Sequence, residues 1–199
     1  TSQNENFGAQ VIGFTISNAG NSAVYCGGDS SPAFVNCAFL NNTNSIDGGG
    51  AFYVTNARPM IANCRFAMNR AQTFGSAIYA RGPNTLVRVS HSTFNNNWGN
   101  TTGGGTGCAT NTAWVELNNC IVWFDDSQEA TIVTNGSFRV DAVYSDIWQT
   151  SGVYPGIGNT NCDPGFDISE NLRLPNNSRC IDRGTTNSLP GLRRVTRYD

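Results

Sequence analysis

The chain has 199 residues, with 12 arginines and no lysine against 14 acidic residues, for a net charge of −2. That balance lacks the basic footprint of a nucleic-acid-binding protein. A hydrophobic content of 39 %, with no apolar run approaching about 18 residues, excludes a membrane-spanning helix and hence membrane insertion by one.

Thr1 to Phe7 do not read as a signal peptide, so any targeting segment is expected to have been removed. A repeat pattern begins almost at once, at Val11-Ile12-Gly13-Phe14-Thr15-Ile16. Fuller copies follow: Asn36-Cys37-Ala38-Phe39-Leu40-Asn41-Asn42, Asn63-Cys64-Arg65-Phe66-Ala67-Met68-Asn69 and His91-Ser92-Thr93-Phe94-Asn95-Asn96-Asn97. Aligned on Cys37, Cys64, Ser92 and Cys120, the period is 27, 28 and 28 residues, with the degenerate copy 23 residues upstream. Periods in this range belong to solenoids. Solenoids need atypical terminal repeats, and none precedes Val11. The open coil end would carry unpaired strand edges, so an upstream segment of a longer precursor, or a neighbouring molecule, is expected to cover it.

A second phrase keeps step with the first: Ser22-Ala23-Val24-Tyr25, Gly50-Ala51-Phe52-Tyr53, Ser76-Ala77-Ile78-Tyr79 and Gly107-Cys108-Ala109. Each is bounded by Gly, Asn, Asp or Pro and none has the length of an amphipathic helix, so each coil is expected to hold at least two short strands. Phe34, Ile61, Val89 and Leu117 fall three positions before the aligned site, and Phe39, Phe66, Phe94 and Val122 two after it. Both sets predict stacked rows in a continuous core. The column just before the aligned site reads Gly13, Asn36, Asn63, His91, Asn119. All three residue types tolerate left-handed backbone, which predicts a sharp bend whose side chains hydrogen-bond from coil to coil. His91, the only histidine, is therefore expected to be a turn residue.

Val143-Tyr144-Ser145-Asp146-Ile147 reads as one more coil. Beyond Trp148 the text becomes turn-rich, so residues 1–148 are expected to form the repeats and 149–199 an irregular segment packed on or beyond the last coil. The fold class is all-β: a right-handed parallel β-helix of about five to six coils of 23–28 residues.

The stretch from Tyr144-Ser145-Asp146-Ile147 through Asp163-Pro164-Gly165-Phe166 and Leu172-Arg173-Leu174 to Cys180-Ile181-Asp182-Arg183-Gly184 resembles the tail of secreted bacterial right-handed parallel β-helix proteins of the choice-of-anchor type. The repeats are also similar to the paired motifs of chlamydial polymorphic outer membrane proteins. These are Phe-x-x-Asn at 39–42, 66–69 and 94–97, and Gly-Gly-Ala-Phe or Gly-Ser-Ala-Ile at 49–52 and 75–78. The resemblance covers residues 8–184 and implies a secreted or cell-surface protein, with adhesion as a common role.

The chain has seven cysteines and no Cys-x-x-Cys pair, so no metal site is expected from their spacing. Cys37, Cys64 and Cys120 share a column with Ser92 and are expected to pack as a reduced core stack. Cys26 and Cys108 read as further core thiols. Cys162 and Cys180 lie in the irregular segment, where a disulfide between them would stabilise loops that lack a core.

Catalysis on such a fold needs carboxylates converging on one face. The candidates are Asp125, Asp126, Asp141 and Asp146, set against the alternative that they satisfy turn backbone. Their convergence would also allow Ca²⁺; no other cofactor is expected. Among Trp98, Trp114, Trp123 and Trp148, the second pair of readings separates core packing for Trp114 and Trp123 from sugar stacking for Trp98 and Trp148. The leading functional expectation is a non-enzymatic extracellular or cell-surface module acting in adhesion or self-assembly, with copies of itself or other surface proteins as partners. The alternatives are a carbohydrate-binding module taking a polysaccharide, and a polysaccharide lyase or glycoside hydrolase.

Overall fold

A computed structural model of the chain describes residues 2–3, 8–99, 106–110, 112–123, 132–134, 139–167 and 172–186. It is a parallel β-solenoid. Three sheets of six strands each run its length, and the stack amounts to about four full turns. The turns are slightly fewer than expected, because the passes at either end are partial. No helix among the described residues is long and apolar enough to cross a membrane.

The first sheet stacks Ser2–Gln3, Val24–Gly27, Phe52–Thr55, Ile78–Arg81, Gly107–Thr110 and Ile132–Thr134. The second stacks Gln10–Ile12, Ala33–Val35, Met60–Ala62, Leu86–Ser90, Trp114–Asn118 and Arg139–Val143. The third stacks Thr15–Ser17, Ala38–Leu40, Arg65–Ala67, Thr93–Asn95, Ile121–Trp123 and Asp146–Ile147. A short fourth ladder joins Thr43–Asn44, Arg70–Ala71 and Trp98–Gly99. Strands this short are marginal alone; each is held by its neighbours above and below.

The register places like residues over like. Phe34, Ile61, Val89 and Leu117 form one buried row, and Phe39, Phe66, Phe94, Val122 and Ile147 another. The rings of Phe39 and Phe66 stack at 5.0 Å and those of Phe66 and Phe94 at 4.5 Å, within the range where aromatic pairs add to area burial.

From the second coil on, two corners follow one rule: a left-handed residue outside, then a polar side chain turned inward. At the corner between the second and third sheets, Gly13, Asn36, Asn63, His91, Asn119 and Tyr144 have φ of 76, 55, 51, 49, 53 and 50°. The inward residue that follows is Cys37, Cys64, Ser92, Cys120 or Ser145, all buried. Cys64 Sγ accepts the Cys37 N–H at 3.4 Å, Ser92 Oγ that of Cys64 at 3.1 Å, and Ser145 Oγ that of Cys120 at 3.1 Å. The same groups donate back to the carbonyl two residues earlier, as Ser92 Oγ does to Ser90 O at 2.8 Å and Cys64 Sγ to Ala62 O at 3.2 Å. The column thus needs a small side chain that both donates and accepts, which explains why thiol and hydroxyl interchange there.

At the next corner Asn18, Asn41, Met68 and Asn96 are left-handed, and Asn42, Asn69 and Asn97 point inward, fully buried. Asn69 Oδ1 accepts both the N–H and Nδ2 of Asn42, at 3.1 and 3.0 Å, and Asn97 Oδ1 does the same for Asn69 at 3.1 and 2.8 Å. Their Nδ2 groups also donate to Ile16 O, Phe39 O and Phe66 O.

After Ile147 the chain folds back along the outer edge of the last coil. Tyr144 N–H donates to Ile157 O, Ile147 N–H to Thr160 O and Thr160 N–H to Ser145 O, at 2.8 to 3.0 Å. Asn159 Oδ1 accepts the Ser145 N–H at 3.0 Å, supplying what the inward residue of a further coil would supply. At the opposite end no such returning segment lies against the second and third sheets among the described residues. Gln10–Ile12 and Thr15–Ser17 pair on one side only among the described residues.

Asn69→Ala removes an acceptor from two Asn42 groups and a donor from Phe39 O and Asn97 Oδ1. Each buried polar atom left without a partner costs about 1–3 kcal/mol, so a loss of about 3–5 kcal/mol is expected in urea unfolding. Asn63→Gly, which keeps the left-handed bend and loses one exposed hydrogen bond, should stay within about 1 kcal/mol of the parent.

Candidate functional site

The outward bend residues form a ladder along one corner of the solenoid. Asn63 Nδ2 donates to Asn36 Oδ1 at 2.6 Å, and Asn119 Nδ2 lies 3.0 Å from His91 Nε2. The C-terminal segment runs beside this ladder. Thr185 N–H donates to Asn119 Oδ1 at 2.7 Å, and Asn119 Nδ2 to Thr185 O at 2.8 Å. An open polar groove of about 400 Å³ there is lined by Asn36, Asn63 and His91 of the ladder, by Arg65 and Thr93 of the third sheet and by Leu172 of the C-terminal segment. His91 sits in it as one member of a regular bend row.

The candidate carboxylates do not come together among the described residues. Asp125 and Asp126 lie outside those residues. Asp141 is on the second sheet, its Oδ2 2.6 Å from Arg139 Nε. Asp146 is on the third sheet, around the bend at Tyr144, and is buried beneath the C-terminal segment.

The tryptophans divide as follows. Trp123 is buried. Trp114 is half-buried under the Arg139 guanidinium, 5.0 Å from its ring centroid. Trp148 is half-buried, and its backbone N–H donates to Val122 O. Trp98 is 40 % exposed, but the Arg70 guanidinium lies 4.7 Å over its ring.

The aromatic row that does run along the solenoid is one the sequence reading passed over. Tyr25, Tyr53 and Tyr79 are in register on the outer side of the first sheet. Tyr25 and Tyr53 stack at 5.7 Å and Tyr53 meets Tyr79 edge-on at 5.3 Å. Tyr25 is exposed, Tyr53 half-exposed, and Tyr79 is covered from the side by Phe74. The signal was present in the second repeat phrase, which ends in Tyr in three successive coils.

Cys162 and Cys180 come together as expected, but the disulfide is not formed: their Sγ atoms are 3.9 Å apart. Both thiols are drawn instead to the Asp146 carboxylate. Cys180 Sγ is 3.2 Å from Oδ2 and Cys162 Sγ 3.5 Å from Oδ1. Oδ1 also accepts from Thr160 Oγ1 at 2.7 Å and the Cys162 N–H at 3.0 Å. Burial first, and then the charge of Asp146, push the Cys180 thiol up. Ca²⁺ seeks six to eight oxygen ligands, and one carboxylate between two sulfurs does not offer them.

Comparison of the chain with models of protein families, with curated proteins and with solved structures finds no match. Of the expected kinship with secreted β-helix proteins, what the structure shows is the parallel β-solenoid alone.

Burial pushes the thiols of Cys26, Cys64 and Cys120 up from an ordinary 9.0 to about 12. The folded state therefore keeps these protons at a pH where the unfolded chain sheds them. Stability should be level below about pH 9 and fall as pH rises from there toward 12, measured as the urea midpoint against pH. A midpoint unchanged or rising over that window would contradict the burial of these three thiols.

Proposed function

We propose that this protein is a non-enzymatic extracellular or cell-surface structural module that associates with a second copy of itself through the open edge of its first coil. One observation carries the reading. Gln10–Ile12 and Thr15–Ser17 have partners on one side only among the described residues, and the apolar residues beside them are bare. Ile12 is 51 % and Phe14 62 % exposed, although Phe14 takes the place that buried Cys37 holds one coil on. An unpaired parallel edge flanked by apolar side chains is a template for another strand. At the other end the chain's own residues 157–160 cover the third sheet's last strand, Asp146–Ile147, while Ile132–Thr134 and Arg139–Val143 end their sheets with a strand partner on one side only among the described residues. Association of open edge with open edge closes as an isologous pair, so a pair is favoured over an end-to-end filament. Secretion and an adhesive role, with other surface proteins as further partners, follow from the motif resemblance to choice-of-anchor and polymorphic outer membrane proteins.

The Tyr25–Tyr53 row favours a second reading, a carbohydrate-binding face, since exposed rings spaced along a flat sheet can stack on successive sugars. Tyr25→Ala and Tyr53→Ala would then abolish retention on the insoluble polysaccharide that the parent binds, without changing its unfolding midpoint by more than that of an ordinary surface substitution.

Sedimentation velocity of the full chain over a hundredfold range of concentration tests the first reading. The parent should pass from monomer to dimer, and the Ile12→Arg, Phe14→Asp double variant should remain monomeric while keeping the parent's circular dichroism. A parent that stays monomeric at every concentration would sink the proposal.

A further inference from the structure

The geometry points to a metal site at the junction of the last coil and the C-terminal segment, in which Cys162, Cys180 and Asp146 hold a zinc-type divalent ion. This inference does not rest on self-association. The three ligand atoms lie within 4.8 Å of one another. A tetrahedral zinc site with bonds of about 2.3 Å to sulfur and about 2.0 Å to oxygen has a sulfur–sulfur edge of about 3.8 Å and sulfur–oxygen edges of about 3.5 Å. The corresponding separations are 3.9 Å between the sulfurs, 3.2 Å from Cys180 Sγ to Asp146 Oδ2 and 3.5 Å from Cys162 Sγ to Asp146 Oδ1. The sulfur–sulfur edge and the Cys180 edge to Oδ2 thus match two edges of one face of that tetrahedron, and Cys162 Sγ meets the same carboxylate at its other oxygen, within the 4.8 Å that encloses all three ligand atoms.

The surroundings have the features of a metal's outer shell. Asp146 is 5 % exposed, and its Oδ1 is held by Thr160 Oγ1 and the Cys162 N–H. That leaves Oδ2, on the Cys180 side, as the ligating oxygen. Hydrogen-bonded carboxylates of this kind orient metal ligands. Asp146 and Cys180 also line a small cavity of about 100 Å³, together with Thr160 and Gly158, which gives room for a water in the fourth position. Two thiolates and a carboxylate around a divalent ion leave one net negative charge, and Arg183 lines the same cavity. Two sulfurs select a thiophilic ion such as Zn²⁺ over Ca²⁺ or Mg²⁺.

The alternative chemistry for two adjacent thiols is a disulfide. Closing it would withdraw the Cys180 S–H from Asp146 Oδ2 and leave a buried carboxylate beside a group that cannot donate. Metal binding releases both thiol protons and satisfies the carboxylate at once. The ion would tie Asp146 of the last coil to two points, Cys162 and Cys180, of the segment that covers it.

The test is titration of the reduced full chain with Co²⁺, a spectroscopic stand-in for Zn²⁺, followed by displacement with Zn²⁺. One equivalent should produce thiolate-to-cobalt charge-transfer absorption and the intense visible bands of tetrahedral cobalt. Cys162→Ser, Cys180→Ser and Asp146→Asn each remove a proposed ligand and should weaken binding by about 100-fold or more, at or beyond the top of the range for losing an outer-shell partner. Because Asp146→Asn disturbs buried contacts, alkylation of the parent is read in parallel: Zn²⁺ should protect Cys162 and Cys180 from iodoacetamide in peptide mapping. No charge-transfer band in the reduced parent would overturn the proposal. So would a band that survives both serine substitutions, or an intact mass two hydrogens low with both cysteines oxidised in the presence of Zn²⁺.

Discussion

Every coil of this molecule depends on turning the backbone sharply without stranding its polar groups. The strands are two to five residues long, so much of each coil is corner, and a corner buried against its neighbours above and below has no water to satisfy it. The solution recurs at both well-formed bends. An outward residue takes the left-handed conformation that reverses the chain, and the next side chain turns in to accept the N–H of the preceding coil. Where the inward groups are Cys and Ser, the bond is single and reciprocated to a carbonyl two residues back. Where they are Asn, each side chain makes up to four contacts and forms a continuous buried ladder. These rows tie one coil's register to the next, and a fixed register is what lets Phe39, Phe66 and Phe94 stack face to face.

A solenoid built this way has interior chemistry that hardly varies and exterior chemistry that is free to. The outward Asn and His ladder, the tyrosine row and the Trp98 and Arg70 pair all stand on the same scaffold without contributing to its core. Stability in such a stack is close to a sum over neighbouring coils, so the ends decide where fraying starts. At one end a segment imitates a further coil beside the third sheet, down to Asn159 accepting the Ser145 N–H as Ser145 itself accepts that of Cys120. That segment holds on mainly through polar contacts, with Tyr154 as its apolar anchor against the core.

Much of this was legible in the sequence, for a physical reason: repetition converts a weak local signal into a column. Gly, Asn and His in one column read as left-handed backbone because few other properties unite them. The apolar rows were legible in the same way. The Cys and Ser column was read as packing alone; its alternation of thiol and hydroxyl was the clue to a hydrogen-bonding role. Asn42, Asn69 and Asn97, five residues after each aligned site, were legible as a motif but not as a buried ladder, since Asn is abundant and usually exposed. The meeting of Asp146 with Cys162 and Cys180 could not be read as a site, because the segment carrying both cysteines has no period to align.

The two ends of the stack therefore pose opposite physical problems. At the C-terminal end the third sheet's last strand is covered but the covering segment is poorly anchored by apolar contact, so a crosslink through Asp146, Cys162 and Cys180 adds stability where burial adds little. At the first coil the apolar side chains are in place but Gln10–Ile12 and Thr15–Ser17 pair on one side only among the described residues, so a partner laid on that edge would add the missing pairing. Because coil stability is a nearest-neighbour property, pairing at that edge and folding of the first coil are linked: a partner that covers Ile12 and Phe14 also suppresses fraying of the strands that present them. Association and local order at this end are one equilibrium seen from two sides, and an edge left uncovered would be expected to open first.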